Sequence, residues 1–153
     1  MEDAKIKINV YRGLDIIEDM IKTTAICREA GKDSKWLYPK RIKRTINQAQ
    51  LDIINFAIWR IANRLASLKI IYTNDRQYVI DQINEKLDDV RMPYIYVERM
   101  DKNRMWYVNR MRNLQEKVNA VSFTEEEIME INLITAEIAA RLLSIELVCD
   151  DTE

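Results

Sequence analysis

The chain has 153 residues, a net charge of −1 and no histidine, and carries only two glycines and two prolines. Without imidazole there is no Ser-His-Asp triad, no histidine-assisted cysteine nucleophile and no histidine metal ligand, which removes much hydrolytic and metal chemistry. Hydrophobic and charged contents of 48% and 32% belong to a folded, water-facing domain, and no apolar run approaches the roughly 20 residues of a membrane span. The length suits a single helical domain over residues 1–153, with no linker or repeat.

Gly13, Gly31, Pro39 and Pro93 are the only strong breaks, so long helices are expected. The alternation Lys5-Ile6-Lys7-Ile8-Asn9-Val10-Tyr11 has the period of a strand, within a possible extended arm over residues 1–12. Its only expected pairing is with a second copy or a partner's edge. A helical start is the alternative. From Leu14 to Ala30 the apolar positions Leu14, Ile17, Ile21 and Ala25 follow helical spacing, and Gly31 supplies a stop.

Pro39 suits the first turn of a helix that can run to Tyr72, about 50 Å. One face of it carries Leu51, Ile54, Ile58, Ile61, Leu65 and Leu68; a second carries Ile42, Ile46, Ala49, Ile53 and Phe56. Apolar cover on two faces predicts a central helix packed on several neighbours or on another subunit. Between the faces lies a polar stripe, Gln48, Asp52, Asn55, Trp59 and Asn63, expected to be buried and to set register or line a small-ligand pocket. If buried, Asp52 needs a cation, with Arg60 and Arg104 as candidates.

Asn74-Asp75 predicts a turn and cap for a helix over 76–91, with Val79, Ile83, Leu87 and Val90 inward, ended by Pro93. A further helix over 94–121 would turn Val97, Met100, Val108, Met111, Leu114, Val118 and Val121 to one side. Thr124 and Glu127 then form a capping box, flanked by Phe123 and Ile128 in staple positions. The last helix buries Ile128, Ile131, Ile134, Ile138, Leu142 and Ile145, before an acidic tail (149–153) expected to fray. The predicted fold is all-α: an antiparallel bundle of about five helices with one long central helix.

Charge is segregated. Lys35, Lys40, Arg41, Lys43 and Arg44 cluster beside Trp36 and Tyr38; Arg99, Lys102, Arg104, Arg110 and Arg112 lie beside Trp106 and Tyr107. From Thr124 onward Arg141 stands alone among carboxylates. The first group is a nucleic-acid contact or merely a solvated face; for the second the readings are a phosphate-binding stripe continuous with the first, or pairing with the acidic last helix of the same or a neighbouring chain. The latter is preferred. Glu127, Glu130 and Glu137 share a face, but Glu127 is committed to the capping box and the helix dipole alone favours acids there, so no metal site is expected. Cys27 and Cys149 are expected as thiols rather than a disulfide, which with the charged N-terminus points to the cytoplasm.

Function follows by elimination and by the two-faced helix. The expectation is a non-enzymatic interaction or assembly (adaptor) protein, a homo-oligomer touching through Ile42, Ile46, Ile53 and Phe56, with no catalytic residues, no cofactor and no membrane. The alternative is a nucleic-acid-binding module using Lys35, Trp36, Lys40, Arg41, Lys43, Arg44, Arg104, Arg110 and Arg112.

Overall fold

A computed structural model describes residues 5–112 and 121–149. Strand β1 (Ile6–Asn9) leads directly into α1 (Val10–Ile17), because the Asn9 side chain accepts the Tyr11 N–H at 3.0 Å. The helix expected over 14–30 is divided: a turn at 18–22 separates α1 from α2 (Thr23–Glu29). That turn is held from a distance. Lys22 N–H donates to Asp89 O (2.9 Å), Arg91 N–H donates to Met20 O (2.8 Å), and Ile21 bridges Val90. Gly31 ends α2 as expected, at φ 75°, with Lys32 N–H to Cys27 O and Gly31 N–H to Arg28 O closing a Schellman turn.

The central helix is also shorter than its sequence pattern. Pro39 falls in the first turn of α3 (Leu37–Lys43), but the backbone leaves the helix at Arg44 (φ 53°) and restarts at α4 (Gln48–Ala66). Two features enforce the break. Asn47 and Gln50 form a reciprocal capping box (2.9 and 3.0 Å), and Ile46 is buried with its N–H donated to the Tyr11 hydroxyl at 3.1 Å. α4 buries Leu51, Ile54, Ile58, Ile61 and Leu65, the first of the two predicted faces.

Residues 68–73 are not helical. The Asn132 carboxamide accepts from Ile70 N–H (2.8 Å) and donates to Ile70 O (2.9 Å); the buried Gln82 does the same for Ile71 (2.8 Å each). The two amides act as substitute strands, satisfying backbone that a helix would otherwise satisfy itself. Asp75 caps α5 (Arg76–Lys86), and Val79, Ile83, Leu87 and Val90 are buried as expected.

The helix expected over 94–121 is instead a π-helical turn (Tyr94–Arg99), a reversal at Asp101 (φ 59°), and α6 (Arg104–Met111) capped by Asn103. α6 buries no residue fully, and Val97 is 45% exposed. Leu114 and Val118 lie outside the described residues.

Thr124 starts α7 (Glu125–Leu143) with the predicted capping box, Glu127 N–H to Thr124 Oγ1 at 3.1 Å and Thr124 N–H to Glu127 Oε1 at 2.9 Å. Phe123 and Ile128 are both buried beneath it. α7 packs along α4. It stops at Leu143, two residues before the expected Ile145, and the chain forms β2 (Ile145–Val148), paired in parallel with β1. The first strand therefore finds its mate within the chain, where a second copy or a partner's edge had been expected. The pairing brings a close approach. A Cβ on Gly13 would lie 2.2 Å from Leu147 Cδ2, so glycine here makes room for the Leu147 side chain against α1. Among the described residues the protein is mostly helical with one small parallel sheet, its helices more numerous and shorter than those of the expected five-helix bundle. Buried side chains from Val10 to Leu147 form one core.

Candidate interaction surface

The second apolar face of α4 is largely uncovered. Ile53 is 36% exposed and Phe56 56%, and Trp59, read in the sequence as part of the polar stripe, is 47% exposed and stacks on the Phe56 ring at 5.7 Å, 20° apart. Ile42, on α3, is 65% exposed. Ile46 does not belong with them: it is buried in the 44–47 link, where Tyr11 holds its backbone. The break at Arg44 separates what a continuous helix would have aligned.

The polar stripe is not a buried stripe. Gln48, Asp52, Trp59 and Asn63 are exposed, and only Asn55 is half-buried. Asp52 accepts from the Gln48 amide at 2.9 Å, while Arg60, its expected partner, donates to Glu29 at 2.7 Å. Asn63 caps the Trp59 carbonyl of its own helix. Of the five, Asn55 alone reaches a distant part of the chain. Its side chain accepts from Leu147 N–H (3.1 Å) and donates to Leu147 O (2.9 Å), fastening β2 to α4. A groove of about 640 Å³ beside this contact is lined by Asp52, Asn55 and Trp59 from α4, with Lys5, Lys7 and Glu146 from the sheet.

The two basic groups divide by partner. Arg41 is held by Asp15 and Glu18 of α1. Lys40 and Lys32 lie over the Trp36 ring at 5.5 and 5.6 Å, and Arg44 over Tyr11 at 4.8 Å. Lys35 and Lys43 are exposed, without an ion pair among the described residues. In the second group Arg110 meets Glu127 through both nitrogens (3.0 and 3.1 Å) and stacks on Trp106 at 4.4 Å, while Arg99 pairs with Glu137. Both acids are on α7 of the same chain, the pairing preferred from the sequence. Lys102 lies over Trp106 at 5.8 Å, and Arg104 and Arg112 are exposed. With Glu127 and Glu137 so occupied, no three carboxylates or thiols among the described residues converge as a metal site.

Three clusters are not anticipated by the sequence pattern. Glu29 accepts from Arg60 and Arg64, and Asp89 from Arg28 and Arg64; the hydrogen bond from Arg64 holds the Glu29 carboxyl below its ordinary range. Arg76 donates to the carbonyls of Asn109, Arg110, Arg112 and Val121 at 2.8–3.2 Å, binding α6 to the approach of α7. Tyr107 stacks on Tyr96 at 4.5 Å, and burial pushes its hydroxyl up to about 12. Each joins residues remote in sequence, with no periodic signal to announce it. Cys27 is buried and Cys149 half-buried, both free thiols; burial raises the Cys27 thiol above its ordinary value. No described helix is long and apolar enough to cross a membrane. No protein-family model, curated protein or solved structure matches the chain.

Proposed function

We propose that the protein is a non-enzymatic interaction or assembly protein that acts as a homo-oligomer through the outer face of α4. The observation that carries this reading is the stacked, half-exposed pair Phe56 and Trp59 with Ile53 one turn before it. Rigid aromatics bury much apolar area at little entropic cost, and such residues anchor interfaces. The spacing favours a second copy. If two α4 helices cross antiparallel at Phe56, Ile53 meets the second copy's Trp59 and Asp52 comes beside the second copy's Arg60, so one patch serves both sides. Ile42 lies outside this stripe, and Ile46 drops out as a contact because it is core. The two free thiols suit a reducing compartment, so we assign the activity to the cytoplasm.

Light scattering tests the proposal. The wild type is expected at twice the 18.2 kDa chain mass, and Phe56→Glu, which places an unpaired charge in the contact, at the chain mass with an unchanged far-UV spectrum. A wild type that scatters as a single chain at tens of micromolar refutes it.

A second reading, nucleic-acid binding, draws on Lys35, Lys40, Lys43 and Arg44, which meet aromatics or solvent rather than carboxylates. It predicts retention of RNA or DNA that weakens steeply with salt and disappears on replacing Lys40, Lys43 and Arg44 with alanine.

A further inference from the structure

The small sheet has one closed edge and one open edge. Ile6 N–H donates to Ser144 O at 2.8 Å, and Ile6 and Ile8 stand in register with Ile145 and Leu147. In a parallel ladder the bonding residues of a strand alternate, so Ile6 and Ile8 turn their amide groups toward β2 and Lys7 turns its own away. On the far side of β2 the amide groups of Leu147 are taken by Asn55. Among the described residues nothing performs that service for Lys7, and Lys5, Ile6 and Lys7 are all exposed.

The open edge is basic. Between Lys5 and Leu14 the chain carries Lys5, Lys7 and Arg12 and no acid, and Arg44 lies against Tyr11 beside them. None of the four has an ion pair among the described residues. Of the nearby acids, Asp15 is held by Arg41, while Glu146, in register with Lys7 on β2, and Asp52 line the groove beside Lys5 and Lys7 without forming an ion pair with either. Lysines are a common guard on exposed strands, and here they discriminate. A second copy of β1 placed antiparallel so that the two outward Lys7 amides bond each other would bring Lys7 opposite Lys7, a destabilising like-charge pair. A strand carrying carboxylates at alternate positions would meet attraction instead.

We propose that β1 is a docking edge for an extended acidic peptide of a partner protein, which joins the sheet as a third strand. Main-chain bonds to Lys7 supply the generic part of the binding, Lys5, Lys7 and Arg12 select acidic side chains, and the exposed Ile6 offers an apolar contact. The main-chain edge used here is distinct from the α4 face, although the Lys5 and Lys7 side chains share a groove with Asp52 and Trp59.

Backbone amide exchange by NMR and fluorescence anisotropy test it together. The probe is a labelled pool of peptides of about eight residues, with Glu or Asp alternating with Val, Ile or Thr. In the protein alone the Ile8 amide is expected to exchange slowly and the Lys7 amide fast; the acidic pool slows Lys7. Lys7→Pro deletes the outward N–H without touching a β1–β2 bond, and should weaken the pool about tenfold while Ile8 stays protected. Lys5→Glu with Lys7→Glu should turn the preference to a Lys-containing pool. The proposal is overturned if no acidic peptide binds by about 1 mM, or if Lys7→Pro binds as the wild type does. It is overturned equally if Lys7 is protected in the protein alone in a concentration-dependent way, which would give the edge to a second copy.

Discussion

Replacing Asn55 by alanine removes the side chain that, among the described residues, alone satisfies the outer N–H and C=O of Leu147, at 3.1 and 2.9 Å. Leu147 is 1% exposed, so water cannot readily take over. A buried amide group left without a partner costs about 1–3 kcal/mol. Two such groups, partly relieved by local opening, set the expected loss at about 2–4 kcal/mol. Asn63 on the same helix provides the contrast: it is exposed and bonds only its own helix, so Asn63→Ala should stay within about 0.5 kcal/mol. Asn55→Asp separates the two bonds, since a carboxylate still accepts from Leu147 N–H but faces Leu147 O with no donor. Urea unfolding gives the stabilities, and amide exchange at Leu147 and Ile8 shows whether β2 alone or the whole ribbon loosens. An Asn55→Ala protein as stable as Asn63→Ala would mean that β2 does not need this clamp, and the ribbon would have to be held by side-chain packing.

The capping box predicts that Thr124→Ala lowers stability by about 1 kcal/mol, visible as a lower urea midpoint at unchanged slope. Arg76→Ala strips donors from four carbonyls and should cost about 2–3 kcal/mol, with altered fluorescence from Trp106 on α6; Arg76→Lys should recover only part, because an ammonium cannot span the fork. Gly13→Ala sets a helix-propensity gain of about 1 kcal/mol against overpacking of about 1–3 kcal/mol at Leu147, so a net loss is expected, relieved when Leu147→Ala is added. Tyr107, with its hydroxyl raised from 10 to about 12, favours the folded state fully below pH 10; that contribution is lost as pH rises toward 12. Over that interval the wild type should lose about 2–3 kcal/mol more than Tyr107→Phe, measured by urea titration at each pH.

Local chemistry was legible in the sequence wherever the deciding groups are neighbours. Gly31 as a helix stop, Asp75 as a cap, and the Thr124 to Glu127 box all act within one turn of chain, so residue type and spacing suffice. The inward faces of α4, α5 and α7 were legible for the same reason, because burial repeats with the helical period. Ile53 and Phe56 were visible as surplus apolar cover, but Trp59 was read into the polar stripe, and the sequence could not say that Ile46 would be diverted into the core.

What the tertiary structure decided are the breaks and the partners. The helix pattern of 14–30 is interrupted because Met20 and Lys22 bond to residues near 90, and that of 39–72 ends early because Asn132 and Gln82 offer Ile70 and Ile71 strand-like bonds. Periodicity reports which face is apolar. It does not report whether a distant amide competes for the backbone. The same limit hid the mate of β1: a four-residue strand about 140 residues away carries no pattern of its own, and is held in place where Gly13 makes room for Leu147 and Asn55 bonds its outer edge. Carboxylate partners obey the same rule in part: charge segregation pointed Arg99 and Arg110 toward the acidic last helix, but the pairing of Arg41 with Glu18 depends on distance in space and leaves no trace in spacing along the chain.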